Sequence, residues 1–254
     1  MKTIIISDLH NRVSWVEKAL ASSSLQPYDK VIFLGDYFDN YNDTKKAAEK
    51  TALWLKQSLQ QPNRIHLIGT HDLFYMYPHN EFLMVSGNSK SKARVISKVL
   101  DFNDIKKLYM FAFEQQFLIS HAGVHTLLIN DFIKRNNIAI NKTDVNDLIT
   151  HVIEPATTKA LFYAVKGQMD AWIDAGYSRR GFQPVGGIIW LDWNTEFEPV
   201  PHINQIVGHT EIIIPDIKFD PVSVNFNIDT KNKHIGIIEN GLFSVIETKT
   251  ILGT

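Results

Sequence analysis

The chain has 254 residues, 44% of them apolar, with 26 Lys and Arg against 27 Asp and Glu. That length and composition suffice for a sizeable core, and the near-neutral charge gives no global pull toward nucleic acid or an anionic membrane. The lack of cysteine excludes disulfides, zinc–thiolate sites and a cysteine nucleophile. No apolar stretch approaches the roughly 20 residues that span a bilayer. The N-terminal apolar run is too short for a signal peptide and stops at Asp8, so a soluble, cytoplasmic chain is expected. Residues 3–7 form a β-branched run leading into Asp8-Leu9-His10, and a helical pattern over 13–23 follows. Residues 30–35 lead into Asp36-Tyr37-Phe38-Asp39. The next helix, 44–60, carries Ala47, Ala48, Thr51, Ala52, Leu55 and Leu59 on one stripe. Residues 64–69 lead into Thr70-His71-Asp72, and 74–104 read as an excursion with helical character around 91–100. Runs 108–113 and 116–120 are expected to form a hairpin whose second strand ends at His121-Ala122-Gly123. Helices are predicted over 124–135, 144–153 and 156–165, within a second excursion reaching residue 180. Gly186-Gly187-Ile188-Ile189-Trp190 reads as a strand. Residues 205–208 lead into His209-Thr210, and strands 223–229, 234–239 and 242–247 complete the chain. Asn240-Gly241 between the last two is a hairpin signal.

Strand, helix, strand, helix, strand is the pattern of a parallel sheet. In such a sheet the carboxyl ends of the strands share one edge, and ligands bind there. The expected fold is α/β, a four-layer αββα sandwich. Two mixed sheets pack face to face with helices outside, in a single domain spanning residues 1–254.

The strand ends present Asp8, His10, Asp36, Asp39, His71, Asp72, His121 and His209. One Asp or His at a strand end is ordinarily a cap or a surface group. Five such clusters at five strand ends are harder to explain as capping. Carboxylates and imidazoles without sulfur suit manganese, iron, zinc or nickel. The groups are too many for one ion, and a carboxylate can bridge two cations roughly 3.5–4 Å apart.

Asp8-x-His10, Gly35-Asp36-x-x-Asp39, Gly69-x-His71-Asp72, His121-Ala122-Gly123 and Gly208-His209 together resemble the ordered motifs of the calcineurin-like metallophosphoesterase superfamily. The resemblance spans residues 8 to 209 and is specific for the metal site. It implies that two divalent ions are held, with manganese the first expectation: the first by Asp8 and His10, the second by His121 and His209, with Asp36 bridging. It implies that a metal-bridging hydroxide attacks phosphorus while His71, oriented by Asp39, protonates the leaving oxygen. His-Ala-Gly and Gly-His-Thr lean toward the branch of phosphoprotein phosphatases and diadenosine tetraphosphatases. The implied substrates are phosphate monoesters or phosphoanhydrides, carried by a small molecule, a nucleotide or a phosphoprotein.

Two positions depart from that pattern. Thr70 stands where the family carries an Asn whose amide oxygen ligates the second metal, so weaker occupancy and reduced activity are expected. Asn40 stands where phosphoprotein phosphatases carry a phosphate-gripping Arg. Arg12, Arg94, Arg179 and Arg180 are the candidate substitutes, with the loop 177–181 favoured. Glu211 replaces the second His of a Gly-His-x-His ending and reads equally as a solvated loop acid. A phosphodiesterase or nuclease, and a non-catalytic binding module weakened at Thr70, stay open as rival readings.

Overall fold

The computed structural model describes residues 1–41 and 43–253. In the first sheet, β1 (Lys2–Ile6), β2 (Lys30–Phe33), β3 (Arg64–Leu67) and β4 (Leu108–Tyr109) run parallel. The antiparallel pair β10 (His234–Glu239) and β11 (Leu242–Glu247) extends this sheet beyond β1. The second sheet has the order β5 (Phe111–Glu114), β6 (Phe117–Ser120), β7 (Asn204–Val207), β9 (Ser223–Asn227), β8 (Asp216–Asp220). Its inner pairs are parallel and its edge pairs antiparallel.

The period of two along each strand assigns the two faces. Ile5, Ile32, Leu34 and Leu67 meet Phe117, Ile119 and Ile206 between the sheets. Ile4, Ile6, Val31 and Phe33 point the other way. They join the outer core that includes Val16 and Ala19 of α1 (Val13–Leu20) and Ala48, Ala52 and Leu55 of α2 (Lys45–Ser58). Strands buried on both faces read as continuous apolar runs, which is why β1 and β2 were conspicuous in the sequence. Each fully buried Ile or Leu contributes about 1.5–3 kcal/mol of burial. Helices α3 (Thr70–Met76), α4 (Lys90–Ile96) and α5 (Phe102–Ile105) lie between β3 and β4 in the chain. Helices α6 (Thr126–Asn136), α7 (Val145–Leu148) and α8 (Glu154–Val165) lie between β6 and β7, and α9 (Thr248–Leu252) follows β11. The four-layer architecture is the one expected. Among the described residues no helix is long and apolar enough to cross a membrane.

Four local expectations are corrected. Residues 108–113 are not one strand. Leu108 pairs with His66 in the first sheet, the chain crosses at buried Met110, and only Phe111–Glu114 pairs with β6. The helices expected over 144–153 and 156–165 run together through a π-helical turn, Ile149–Ile153. Pro155 lacks an N–H and its ring crowds the preceding turn, and widening that turn accommodates it without a break. Residues 186–190 form turns, not a strand, and Ile188 donates its N–H to the Trp172 carbonyl. β8 escaped notice because its edge position leaves Ile217 and Phe219 exposed, so no apolar face marks it. The Asn240-Gly241 hairpin is present, with both residues at positive φ, as a two-residue turn of this hand requires.

The sheet edge that carries the chemistry depends on close approach of two strand ends. Gly35 has φ +106°, and a Cβ there would lie 2.4 Å from the Gly69 nitrogen. Gly35→Ala combines a left-handed backbone with backbone overlap and is expected to destabilise the fold by about 2–4 kcal/mol. Urea unfolding of the two proteins checks this, and a loss below about 1 kcal/mol would mean the strand ends can part freely.

Candidate metal centre

Hydrogen bonds to backbone groups tie the loops at the carboxyl edge of the sheets to one another. Leu9 and His10 both donate N–H to the Asp36 carbonyl, at 3.0 and 2.8 Å. Gly208 donates to the His121 carbonyl at 2.8 Å. Gly208 allows close approach, since a Cβ there would meet Asp8 Oδ1 at 2.5 Å. Asp72, at the third position of α3, accepts from the backbone of Asp36 (2.7 Å), Tyr37 (2.8 Å) and Gly69 (2.9 Å).

These ties bring residues distant in sequence to one point. Asp8, His10 and Asp36 present ligand atoms within 4.8 Å of one another, and so do Asp36, His121 and His209. Asp36 belongs to both groups. The donor set fits divalent cations: His121 commits Nδ1 to the Leu34 carbonyl at 2.9 Å, which fixes the ring and leaves Nε2 for a metal. The Nε2 atoms of His121 and His209 are buried without a hydrogen-bond partner among the described residues, a costly arrangement for protein alone that coordination would satisfy. His10 likewise has Nδ1 against the Phe38 carbonyl at 3.1 Å.

At Asp36 and His209 the electrostatics agree with that use. Burial pushes the Asp36 carboxyl upward, but His121, His71 and His10 around it outweigh burial and hold it well below the usual carboxylate range. Burial, with His121 and Arg179 nearby, drives the His209 imidazole down, which keeps it neutral as a ligand must be. Burial would also lower His71, yet Asp36 and Asp39 overcome it and push His71 up to about 9. His71 Nδ1 lies 3.3 Å from Asp39 Oδ2. Asp39 is buried, which raises its carboxyl, but hydrogen bonds from His71, Lys92 and Tyr75 bring it below its ordinary value. The expected His71–Asp39 pair is therefore present at the rim beside Asp36.

The remaining candidates separate. Thr70 is buried, and its hydroxyl lies 3.4 Å from both oxygens of Asp36, a long contact for a hydroxyl donor. Arg179 pairs with Asp192 at 2.7 Å and donates to the Thr210 hydroxyl at 3.1 Å. Arg180 has no ion-pair partner among the described residues and lines a cleft of about 300 Å³ with Thr70, Trp190, Phe82 and Phe182. Arg12 is spent elsewhere, donating to the Lys231 carbonyl at 2.7 Å and to Asn232 at 3.1 Å. Arg94 is exposed on α4. Glu211 forms a surface ion pair with Lys231 at 2.8 Å. His125 caps α6, accepting from the Leu127 N–H, and His66 packs flat on Phe33, so neither joins the centre. Sequence reasoning missed Tyr75, Asn88 and Lys92, which all contact Asp39. Lys92 had one available signal: it sits in helical phase with Ile96 and Val99, a charge on an apolar stripe.

The sequence model described as calcineurin-like phosphoesterase matches residues 1–173. A search among curated proteins finds no match. Among solved structures, the cold-active protein-tyrosine phosphatase of a psychrophile, Shewanella sp., aligns with 100% of this chain and 78% of its own, with a TM-score of 0.56 at 14% identity. Another cold-active protein tyrosine phosphatase structure aligns over 100% and 77%, with a TM-score of 0.58 at 13% identity. A protein serine/threonine phosphatase from Saccharomyces cerevisiae, with similarity to human phosphatase PP5, aligns over 97% and 80% at 10% identity, with a TM-score of 0.48. At such identities the first two likenesses speak for a shared fold alone.

The raised His71 has a consequence for the metal-free protein. Its folded pKa, about 9, exceeds the ordinary 6.5. The stability it contributes is therefore complete below about pH 6.5 and is lost as pH rises through about 9. Urea midpoints of the chelated protein are expected to fall across that window, and the fall should be reduced in His71→Asn. An equal fall in both proteins would assign the loss to another group.

Proposed function

Because the chain belongs to the calcineurin-like phosphoesterase family, a group of metal-dependent phosphoester hydrolases, we propose that it uses two divalent ions to hydrolyse phosphate monoesters or phosphoanhydrides. The observation that carries this reading is the membership of Asp36 in both ligand groups. One carboxylate common to two sets of donors suits a pair of cations side by side. Asp8, His10 and Asp36 would hold the first ion, and Asp36, His121 and His209 the second, with Thr70 beside it. Manganese is the first expectation, and iron, zinc or nickel would suit the same donors. When bound, such ions supply Lewis acidity to phosphoryl oxygens and lower the pKa of coordinated water.

The chain's own groups supply the rest. With Nδ1 turned to Asp39, His71 keeps Nε2 for the substrate, and in its protonated form the ring can donate a proton to the leaving oxygen. Arg180 has no ion-pair partner among the described residues and lines a cleft that shares Thr70 with the centre, which supports a role in gripping phosphate. The mixed lining of that cleft, with Phe82, Met84 and Trp190, supports a place for the organic part of a phosphorylated small molecule, a nucleotide or a phosphopeptide. Late in the chain, β10 returns to pair with β1 in the first sheet, which supports residues 1–254 acting as one unit. A cytoplasmic location belongs to the same reading. The rival, a module that binds metal without turnover, draws its support from Thr70.

Three measurements test the proposal. Protein loaded with manganese is expected to hydrolyse p-nitrophenyl phosphate well ahead of bis(p-nitrophenyl) phosphate, and His71→Asn to lower kcat by about 10²–10⁴-fold. Dominant diester activity would overturn the monoester reading, and no hydrolysis with excess manganese would favour the binding module. Arg180→Ala is expected to raise KM about tenfold or more while metal content stays the same, since bonds to charged groups contribute about 1.5–3 kcal/mol. Unchanged kinetics would remove Arg180. Thr70→Asn is expected to raise both metal content and turnover, and equal values in the two forms would show that Thr70 does not limit the second site.

A further inference from the structure

We propose that Lys92 of α4 is a positioning residue, fixing Asp39 and, through it, the imidazole of His71. The inference rests on the reading of His71 as the proton donor. Lys92 is 8% exposed, and its ammonium contacts two carboxylates: Asp39 Oδ1 at 2.5 Å and Asp43 Oδ1 at 2.6 Å. A buried ammonium is costly unless paired and hydrogen-bonded, and here both conditions are met. One of the two carboxylates is the one that takes His71.

Asp39 Oδ1 accepts from Lys92 and from the Tyr75 hydroxyl at 2.7 Å. Its Oδ2 accepts from Asn88 at 2.5 Å and faces His71 Nδ1 at 3.3 Å. An ionised carboxylate has about four acceptor sites, so Asp39 is saturated and its plane is fixed. Behind Lys92 the network continues. Asp43 Oδ2 accepts from Asn11 at 2.9 Å, and Asn11 accepts from the Thr51 hydroxyl of α2 at 2.7 Å. The brace thus joins α4, α2 and the loop after β1 to one catalytic pair. Asp39 and Asp43 carry two negative charges, and the Lys92 ammonium lies between them. Without Lys92 the two carboxylates face each other, Asp39 turns away, and His71 loses its anchor while the metal ligands are untouched.

This arrangement predicts a loss confined to substrates that need a proton. As the phosphorus–oxygen bond breaks, its electron pair stays on the leaving oxygen, and the proton from His71 neutralises it. Phenyl phosphate has a poor leaving group that needs this proton, whereas 2,4-dinitrophenyl phosphate releases a stable anion without it. In manganese-loaded protein, Lys92→Met is expected to lower kcat on phenyl phosphate about tenfold or more and on 2,4-dinitrophenyl phosphate less than about threefold, with KM unchanged on both. His71→Asn should give the same pattern more strongly, and adding Lys92→Met to His71→Asn should cost nothing further. If Lys92→Met does not fold, Lys92→Gln, which keeps a donor and removes the charge, carries the same expectation. In the metal-free protein the His71 Nδ1–H resonance, held by Asp39, should broaden or vanish in the Lys92 variant. An equal loss on both substrates, no loss on either, or an unchanged resonance would each overturn the positioning role. A His71→Asn variant that does not discriminate between the substrates would instead remove the proton-donor reading, and this inference with it.

Discussion

The centre depends on one buried carboxylate that stands outside both candidate ligand groups. Asp72 accepts hydrogen bonds from the backbone nitrogens of Asp36, Tyr37 and Gly69. It thereby sews the loop after β2 to the start of α3 after β3. Burial, with the Asp36 charge beside it, raises this carboxyl, while the backbone donors from Gly69 and Tyr37 lower it. At the third position of α3 it also performs the side-chain half of a capping box, reaching back to the Gly69 N–H. Moving Asp72 would free the backbone that aims Asp36, and Asp36 is the side chain common to both ligand groups. Helix capping and ligand placement are the same set of bonds here.

A second constraint is local strain. His10, Asn11, Asp36, Asp39 and His209 all have positive φ, between 42° and 65°. Each such non-glycine residue costs on the order of 1–3 kcal/mol, and they gather along one rim. The surrounding structure over-determines them. His10 is fixed by its N–H to Asp36 and by its ring to Phe38, and His209 donates its N–H to Asp8 at 3.2 Å. Strain of this kind turns side chains toward the centre that would otherwise follow the chain outward. It is consistent with a site shaped before any ligand arrives, because the bonds that hold it belong to the protein.

This division explains what could be read from sequence. β1, β2, β3, β6 and β7 were legible because they are buried on both faces and each stops at a polar cluster. The topology then forced those clusters to one edge. That rule put forward Asp8, His10, Asp36, Asp39, His71, Asp72, His121 and His209 together, and it took the family resemblance to single out Asp8, His10, Asp36, His121 and His209 as ligands. The arginines were less legible, since a guanidinium reaches far and its partner decides its use. Arg12 turns to the Lys231 carbonyl, while Arg179 turns to Asp192. Tyr75 and Asn88 were illegible because they reach Asp39 from parts of an excursion whose path no periodic pattern fixes, and Lys92 showed only as a charge on an apolar helical stripe. The π-helical turn before Pro155 and the crossing at Met110 were hidden for a related reason: both are tertiary solutions to local problems that sequence states without solving.

The segment carrying Arg179 and Arg180 shows how two neighbours come to different uses. Glu196 accepts from the Ser178 hydroxyl at 2.5 Å, from the Gly186 N–H at 2.9 Å and from the Asp192 N–H at 3.2 Å. The loop is thus clamped on both sides of the arginines. Asp192, itself held by Thr195 and Asn194, pairs with Arg179 and sets its charge close enough to His209 to help keep that ring neutral. Arg180 follows at a left-handed φ of 64°, which turns its side chain out of that pair. One guanidinium is fixed in the wall and contributes field, while the next is left exposed at the cleft. The clamp at Glu196 therefore matters as much to the character of the cleft as the arginines themselves.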